Sequence, residues 1–278
     1  MKVVNNIEEI KKLLDWHRYN RQKIALVPTM GTLHDGHISL INIAKKNAEI
    51  VVVSIFVNKT QFNDINDYNK YPRQIDDDLR KLKDAGVDYV FTPDENQIYP
   101  YPADFIISPQ NLAKSLCGAS RPRHFDGVAL IIIKLFNIIS PQVAIFGQKD
   151  FQQLRIIKKL VADLNFAIEI LDVPIMREIS GLAMSSRNKR LNPAELIMAG
   201  EIFRILNEIK KNFRIDSKIL EKKQQKLLAI GFKKVEYLEI RCEENLDKII
   251  DFQINQPARI FIAVYLGEVR LIDNLKII

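Results

Sequence analysis

Short, unbroken apolar runs alternate with amphipathic stretches through the first two thirds of the chain. Residues 24–27, 50–57 and 143–146 are apolar runs, and 87–91 and 167–175 are largely apolar stretches interrupted by Asp88 and by Glu169 and Asp172. Each predicts a strand, the longer ones buried on both faces. Between the first two, Ile38, Ile41, Ala44 and Ala48 share one helical face, with Asn42, Lys45, Lys46 and Asn47 mostly opposite. Ile7, Ile10, Leu13 and Leu14 predict a short helix within residues 1–22, leading into the first strand. Pro72 can open another helix, with Leu79 and Leu82 inward and Gly86 closing it. A further apolar helix runs from Gly127 to Ile139. Alternating strands and helices predict a parallel sheet with helices on both faces, a Rossmann-like α/β fold.

Prolines punctuate this pattern. Pro28 is expected to end the first strand, since it cannot donate to a ladder. Residues 92–125 contain Pro93, Pro100, Pro102, Pro109 and Pro122, with a short strand expected at 105–107. So long a connection within a domain is often functional. Past residue 175 the chain becomes more helical and charged. Asn192-Pro193-Ala194-Glu195 reads as an N-cap, a proline at N1 and a capping glutamate, opening a long helix to about residue 212. A helix at 216–230 and strands at 235–241 and 260–266 follow, with a hairpin turn at Gly267-Glu268. The expected domains are therefore 1–175, Rossmann-like, and 176–278, smaller and α+β.

Composition narrows the class. A chain of 278 residues with 47% hydrophobic content can bury a sizeable core. The longest apolar run, 128–133, is too short to cross a bilayer, and the N-terminus lacks a signal-peptide core. Cys117 and Cys242 are the only cysteines and lie far apart, so a disulfide framework is not expected and a reducing cytoplasm fits. The net charge of +7 suits either a nucleic-acid surface or anionic substrates. Its lysines are scattered, without interleaved aromatics, which favours solvated faces.

Candidate chemistry gathers where apolar runs end. After residue 27, Gly31 and Gly36 allow a tight loop against a ligand, and His34 and His37 sit at the start of the helix that follows. Helix N–H groups, the macrodipole and two imidazoles suit a phosphate. A solvated histidine pair or a two-histidine metal site are the other readings, and zinc would need further ligands. Asn58 and Gln61 fall at the C-terminal end of the second apolar run, where α/β sheets bind ligands. Arg121, Arg123 and His124 form either an anion clamp or a basic surface loop. Gly147-Gln148-Lys149-Asp150 follows the 143–146 run, with Gln153 one turn further on. Ser185, Ser186 and Arg187 could follow a polyphosphate. Asp76, Asp77 and Asp78 could hold magnesium, but a solvated face complementing the helix dipole is the preferred reading.

The motifs also carry a resemblance. His34-Asp35-Gly36-His37 resembles the HxGH signature of the nucleotidylyl-transferase superfamily, and Met184-Ser185-Ser186-Arg187 its second, phosphate-loop signature. Residues 28–37, 53–58, 71–73, 121–127, 146–150 and 181–188, taken in order, resemble the pantothenate synthetase family. That resemblance implies ATP-dependent joining of pantoate and β-alanine through a pantoyl adenylate, with Mg2+, and a homodimer. It implies ATP contacts from Met30, Gly31, Thr32, Leu33, His34, Asp35, Gly36 and His37, from Gly147, Gln148, Lys149 and Asp150, and from Met176, Met184, Ser185, Ser186 and Arg187. His37 would be the proton donor, Gln61 would bind pantoate and β-alanine, and Gln153 would bind pantoate. On this reading, 1–175 binds ATP and pantoate and 176–278 is a lid.

Two positions depart from the family pattern. Thr60 stands where a proline is usual, leaving the turn before Gln61 less rigid. Ile179-Ser180 replaces a segment that usually ends in aspartate, which bears on the loop before Met184. Competing readings are another small HxGH nucleotidylyltransferase, distinguished by its product, and an RNA-binding synthetase-like module, expected to show basic and aromatic residues interleaved.

Overall fold

The computed structural model describes residues 1–101, 104–211, 217–249 and 257–277. In chain order the first part runs β1 (Lys2–Val4), α1 (Ile7–Tyr19), β2 (Ile24–Thr29), α2 (Asp35–Asn47), β3 (Ile50–Ile55), α3 (Ile65–Asn69), α4 (Ile75–Asp84), β4 (Tyr89–Phe91) and α5 (Glu95–Ile98). It continues with α6 (Leu116–Ser120), α7 (His124–Ile139), β5 (Val143–Gly147), α8 (Phe151–Asp163) and β6 (Glu169–Val173). The remainder is α9 (Pro193–Ala199), α10 (Glu201–Lys211), α11 (Ser217–Ile230), β7 (Lys234–Cys242), β8 (Ala258–Leu266) and β9 (Val269–Lys276).

The chain divides into two compact units. The first comprises Met1–Gln110, Arg121–Gln148 and Gln153–Pro174; the second comprises Asn111–Ser120, Lys149–Gln152 and Ile175–Ile278. Lys149 and Asp150 therefore go with the second unit.

In the first unit six parallel strands form one sheet in the order β1–β4–β3–β2–β5–β6. Alternate residues along the strands face opposite sides. Ala25, Val27, Val51, Val53, Val143 and Ile145 pack with Leu40, Ile41 and Ala44 of α2 and Leu82 of α4. Helices α1 and α7 pack against each other and against β2. The Rossmann-like expectation holds, and three details differ. The first residues are not all helical: Lys2–Val4 pairs with Tyr89–Phe91 as an edge strand, too short to leave a periodic signal. Pro28 does not end β2, which continues to Thr29 beside β3. Beyond Leu26 no residue of β2 is paired with β5, and proline is tolerated on a strand with one side unpaired. Residues 105–107 are irregular, with Phe105 and Ile106 exposed.

In the second unit β7, β8 and β9 form an antiparallel sheet. Ile202, Ile205, Leu206 and Ile209 of α10 share a core with Leu238, Ile240, Ile260, Ile262 and Val264. The capping box at Asn192 and Glu195 forms as expected. The long helix expected from it is instead two, α9 and α10, joined at Gly200. A β-carbon there would lie 2.8 Å from the Ser180 carbonyl, so close packing selects the residue that also weakens the helix. Residues 212 and 216, expected helix ends, lie outside the described residues.

Leu82 is wholly buried among Val87, Val90 and the β-strand valines. Leu82→Ala should lower unfolding free energy by about 2–5 kcal/mol in urea titrations. A loss under about 1 kcal/mol would mean the site collapses around the deletion and α4 is held by other contacts.

Candidate active site

Strands β3 and β4 lie to one side of β2, and β5 and β6 to the other, so the order reverses between β2 and β5. Open α/β sheets bind ligands outside the strand C-termini at such a reversal. From β2 the chain enters a loop in which Gly31 and Thr32 both take left-handed backbone, at φ of 81° and 53°. Helix α2 then begins at Asp35, two residues before the position where the apolar pattern becomes visible.

His34 caps that helix. Its Nδ1 accepts the Gly36 N–H at 3.1 Å, and His37 Nδ1 accepts the His34 N–H at 3.3 Å. With Nδ1 accepting in each ring, the neutral imidazoles carry their proton on Nε2, as donors directed away from the cap. The rings lie 4.1 Å apart between centroids. The sequence pattern suited these histidines to a phosphate, with a solvated pair or a metal site as the other readings; the geometry makes them a pair of fixed donors at a helix N-terminus. Thr32 and Leu33, expected among the ATP contacts, are fully buried and shape the loop from within.

The acidic run on α4 departs from expectation. Asp76 is exposed, and Asp77 pairs with Arg80 and Lys81, as a solvated face would. Asp78 is only 1% exposed and accepts the Thr32 and Leu33 N–H groups, both at 2.7 Å. Helical spacing places Asp78 near the inner face with Leu82, and this was the available signal.

The Asn58–Gln61 loop is held from several sides. Asn58 is buried, so it offers no surface to a ligand. Its Nδ2 donates to Gly127 O at 3.0 Å and Gln61 Oε1 at 3.1 Å, and its Oδ1 accepts from Tyr99 Oη and Thr60 Oγ1, both at 2.9 Å. Thr60 thus restrains by hydrogen bonding the turn that a proline would restrain covalently. Gln61 Nε2 lies 3.0 Å from Met30 Sδ, and its carbonyl accepts from Arg121 Nη2 at 3.1 Å and His124 Nδ1 at 2.6 Å. Arg121 and His124 are therefore loop anchors, while Arg123 is exposed beside Asp126. Gly127 is required here, since a β-carbon would fall 2.4 Å from Thr60 O. Gln148 donates to Asp172 at 2.6 Å, and Gln153 is half-buried on α8.

The second unit carries the other candidate group. Residues 176–184 form a small hairpin closed by Met184 N on Met176 O at 3.0 Å and by Glu178 N on Leu182 O at 2.8 Å. Ile179 and Ser180 occupy its tip, where Gly181 takes a φ of 86°, so the family departure is accommodated in a closed turn. Arg177, which the sequence did not mark, makes two bonds to buried Asp273 at 2.6 and 3.0 Å and stacks on Phe203. Burial pushes the Asp273 carboxyl up, against the pull of Arg177. Ser185 caps the following turn, its Oγ accepting the Arg187 N–H at 3.3 Å, and Ser186 is buried. Asn274 donates to the Lys149 carbonyl at 2.8 Å. Burial pushes the Lys149 ammonium below the ordinary lysine value; Arg187 lowers it further, and Asp150 and Asp273 oppose.

A doubly wound sheet with capped imidazoles at its switch point, together with a serine–arginine loop, defines an α/β nucleotide-binding protein. More specifically, the chain belongs to the pantoate-β-alanine ligase family, whose model matches residues 2–276. A pantothenate synthetase from Thermosipho africanus is 44% identical over 280 residues, covering 100% of both chains. The crystal structure of the Thermus thermophilus pantothenate synthetase superposes with a TM-score of 0.92 at 36% identity, covering 100% of this chain and 99% of that one. The Francisella tularensis pantoate-β-alanine ligase, crystallised with β,γ-ATP and β-alanine, gives a TM-score of 0.86 at 39% identity, covering 99% and 97%.

Lys149 bears a charge that the folded state disfavours. Below its lowered folded pKa both states are protonated and the full penalty applies; the penalty fades as pH rises toward the unfolded value of 10.5. Lys149→Met should therefore raise the thermal midpoint without ligand at neutral pH, with the gain shrinking toward pH 10. A gain independent of pH would refute this origin.

Proposed function

We propose that the chain joins pantoate to β-alanine at the expense of ATP, releasing AMP and diphosphate. The observation that carries this reading is the pair of fixed imidazole donors at the helix N-terminus of the sheet's switch point, in a chain matched end to end by the ligase family. In the first step a pantoate carboxylate oxygen attacks the α-phosphorus, and the bond to diphosphate breaks. In the second, the β-alanine amine attacks the acyl carbon, AMP leaves and the amine loses its proton. Neither step needs a side-chain nucleophile. Phosphoryl transfer of this kind depends on positioning and charge stabilisation.

The family resemblance and the chemistry of these side chains support the following roles. His34 and His37 donate to phosphate oxygens, with His37 as proton donor to the leaving side. Met30, Asp35, Gly36, Gly147, Gln148, Lys149, Asp150, Met176, Met184, Ser185, Ser186 and Arg187 are the further nucleotide contacts that the resemblance implies. Gln61 and Gln153 bind pantoate, with Asn58 fixing the Gln61 amide. Residues 1–175 would bind ATP and pantoate, and 176–278 would act as the lid.

Magnesium fits as the partner of ATP. Among the described residues no group of three histidine, cysteine or carboxylate side chains is poised for a metal, and Asp77 and Asp78 are committed to neighbours. Mg2+ is commonly held by substrate phosphates, water and one or two carboxylates. It would neutralise phosphate charge while the protein's own donors orient the α-phosphate. A homodimer is supported by the exposed apolar Tyr101, Phe105 and Ile106, and a cytoplasmic location by the free, buried cysteines. Among the described residues no helix is long and apolar enough to cross a membrane.

The test is incubation with ATP, magnesium and pantoate, with and without β-alanine, following AMP, diphosphate and pantothenate. Pantothenate should form only with all substrates, and His37→Ala should lower kcat by about 10²–10³-fold. ATP binding without pantothenate formation would leave the nucleotide site standing and refute the substrate assignment.

A further inference from the structure

We infer that Asp78 is a positioning residue for the reaction, acting from α4 through the backbone of the 30–34 loop to set the two imidazoles. The inference rests on the assignment of that loop to ATP. Two consecutive left-handed residues, Gly31 and Thr32, point successive N–H groups into one concavity. Such a nest attracts an anion. Here the anion is internal: Asp78 Oδ2 takes the Thr32 N–H and Oδ1 the Leu33 N–H, each at 2.7 Å, with all three residues buried. These two donors are therefore spent inside the fold and are not offered to a phosphate. What the loop presents instead is the helix N-terminus and the imidazole Nε2 atoms.

The same helix grips the loop again one turn on. Lys81 Nζ donates to Leu33 O at 2.7 Å and pairs with Asp77 at 2.7 Å. On the opposite side Thr32 Oγ1 donates to Pro72 O at 2.7 Å. The grip has a conformational purpose. Thr32 is β-branched at a φ of 53°, a region such residues avoid, so the turn needs outside bonds to persist. His34 follows two residues later, and its own N–H is the donor that orients His37. A shift of the Thr32–Leu33 peptides is thus passed directly to both rings.

Asp78→Asn tests this. The amide keeps the shape but accepts from only one N–H and turns its NH₂ toward the other. kcat/KM for ATP should fall about 10²-fold, while KM for pantoate and β-alanine stays within about twofold. Adding Thr32→Gly should recover part of that loss, because glycine takes the left-handed backbone without support. Lys81→Met should give a smaller loss of the same kind, and decides the matter should Asp78→Asn not fold. Leu82→Ala, on the same helix, should lower stability yet keep kcat/KM for ATP well below its melting temperature. Wild-type kcat/KM in both Asp78→Asn and Lys81→Met overturns the inference, as does an equal loss in Leu82→Ala. His34→Ala and His37→Ala separate the two levels. If they too leave ATP turnover intact, the loop's assignment to ATP fails and the inference with it. If they lower it while the Asp78 and Lys81 variants do not, only the positioning role fails.

Discussion

The structure of the first unit depends on β2 being paired in parallel on both sides. The connection leaving β2 runs toward β3 and the one leaving β5 runs toward β6, so the two diverge at the C-terminal ends of these neighbouring strands. Helices cannot fill that gap, because each must cover a sheet face. The unfilled edge is where the 30–34 loop, the start of α2 and the end of β5 meet. A cleft there follows from strand order alone, before any particular side chain is considered.

Strand order supplies a place but not a shape, and shape comes from buried polar groups. Three loops that carry candidate ligand-binding side chains are anchored by polar groups from elsewhere in the chain. Asp78 and Lys81 hold the histidine loop; Asn58, Arg121 and His124 hold the Gln61 loop; Arg177 and Asp273 hold the hairpin before Ser185. Burying such groups is costly unless their bonds are complete, so each anchor fixes its loop strongly once formed. Lys149 sits at the other extreme, where burial opposes its charge and an anionic ligand would relieve it.

The sequence made much of this legible, for identifiable reasons. Unbroken apolar runs marked β2, β3 and β5, and helical spacing marked α2 and α4, because burial on one or both faces imposes those periods. His34, His37, Lys149 and the serine–arginine loop stood out as chemistry at strand ends. What stayed hidden were groups whose role depends on a partner far along the chain. Asp78 lies 45 residues from Leu33, and Arg177 lies 96 from Asp273. In one dimension Asp78 was one of three aspartates suited to a helix N-terminus; its spacing from Leu82 pointed inward, but nothing local named the Thr32 and Leu33 N–H groups it would meet. Local statistics also misjudged Pro28, whose missing donor is tolerated only because of which strand lies beside it, and the break at Gly200, which is set by contact with Ser180.

Gly127 bears on how the Gln61 loop can move. With no side chain at this point of α7, the loop's backbone rests directly on the helix, and Asn58 bonds to the Gly127 carbonyl. Arg121 and His124, just before and at the helix start, grasp the loop from its other end. The backbone around Gln61 is thus tied at both ends to one helix, and its position follows that of α7, a sixteen-residue helix whose other faces lie in the core. A change in how α7 seats would carry the Gln61 backbone with it, which couples the placement of one amide to the packing of a core element.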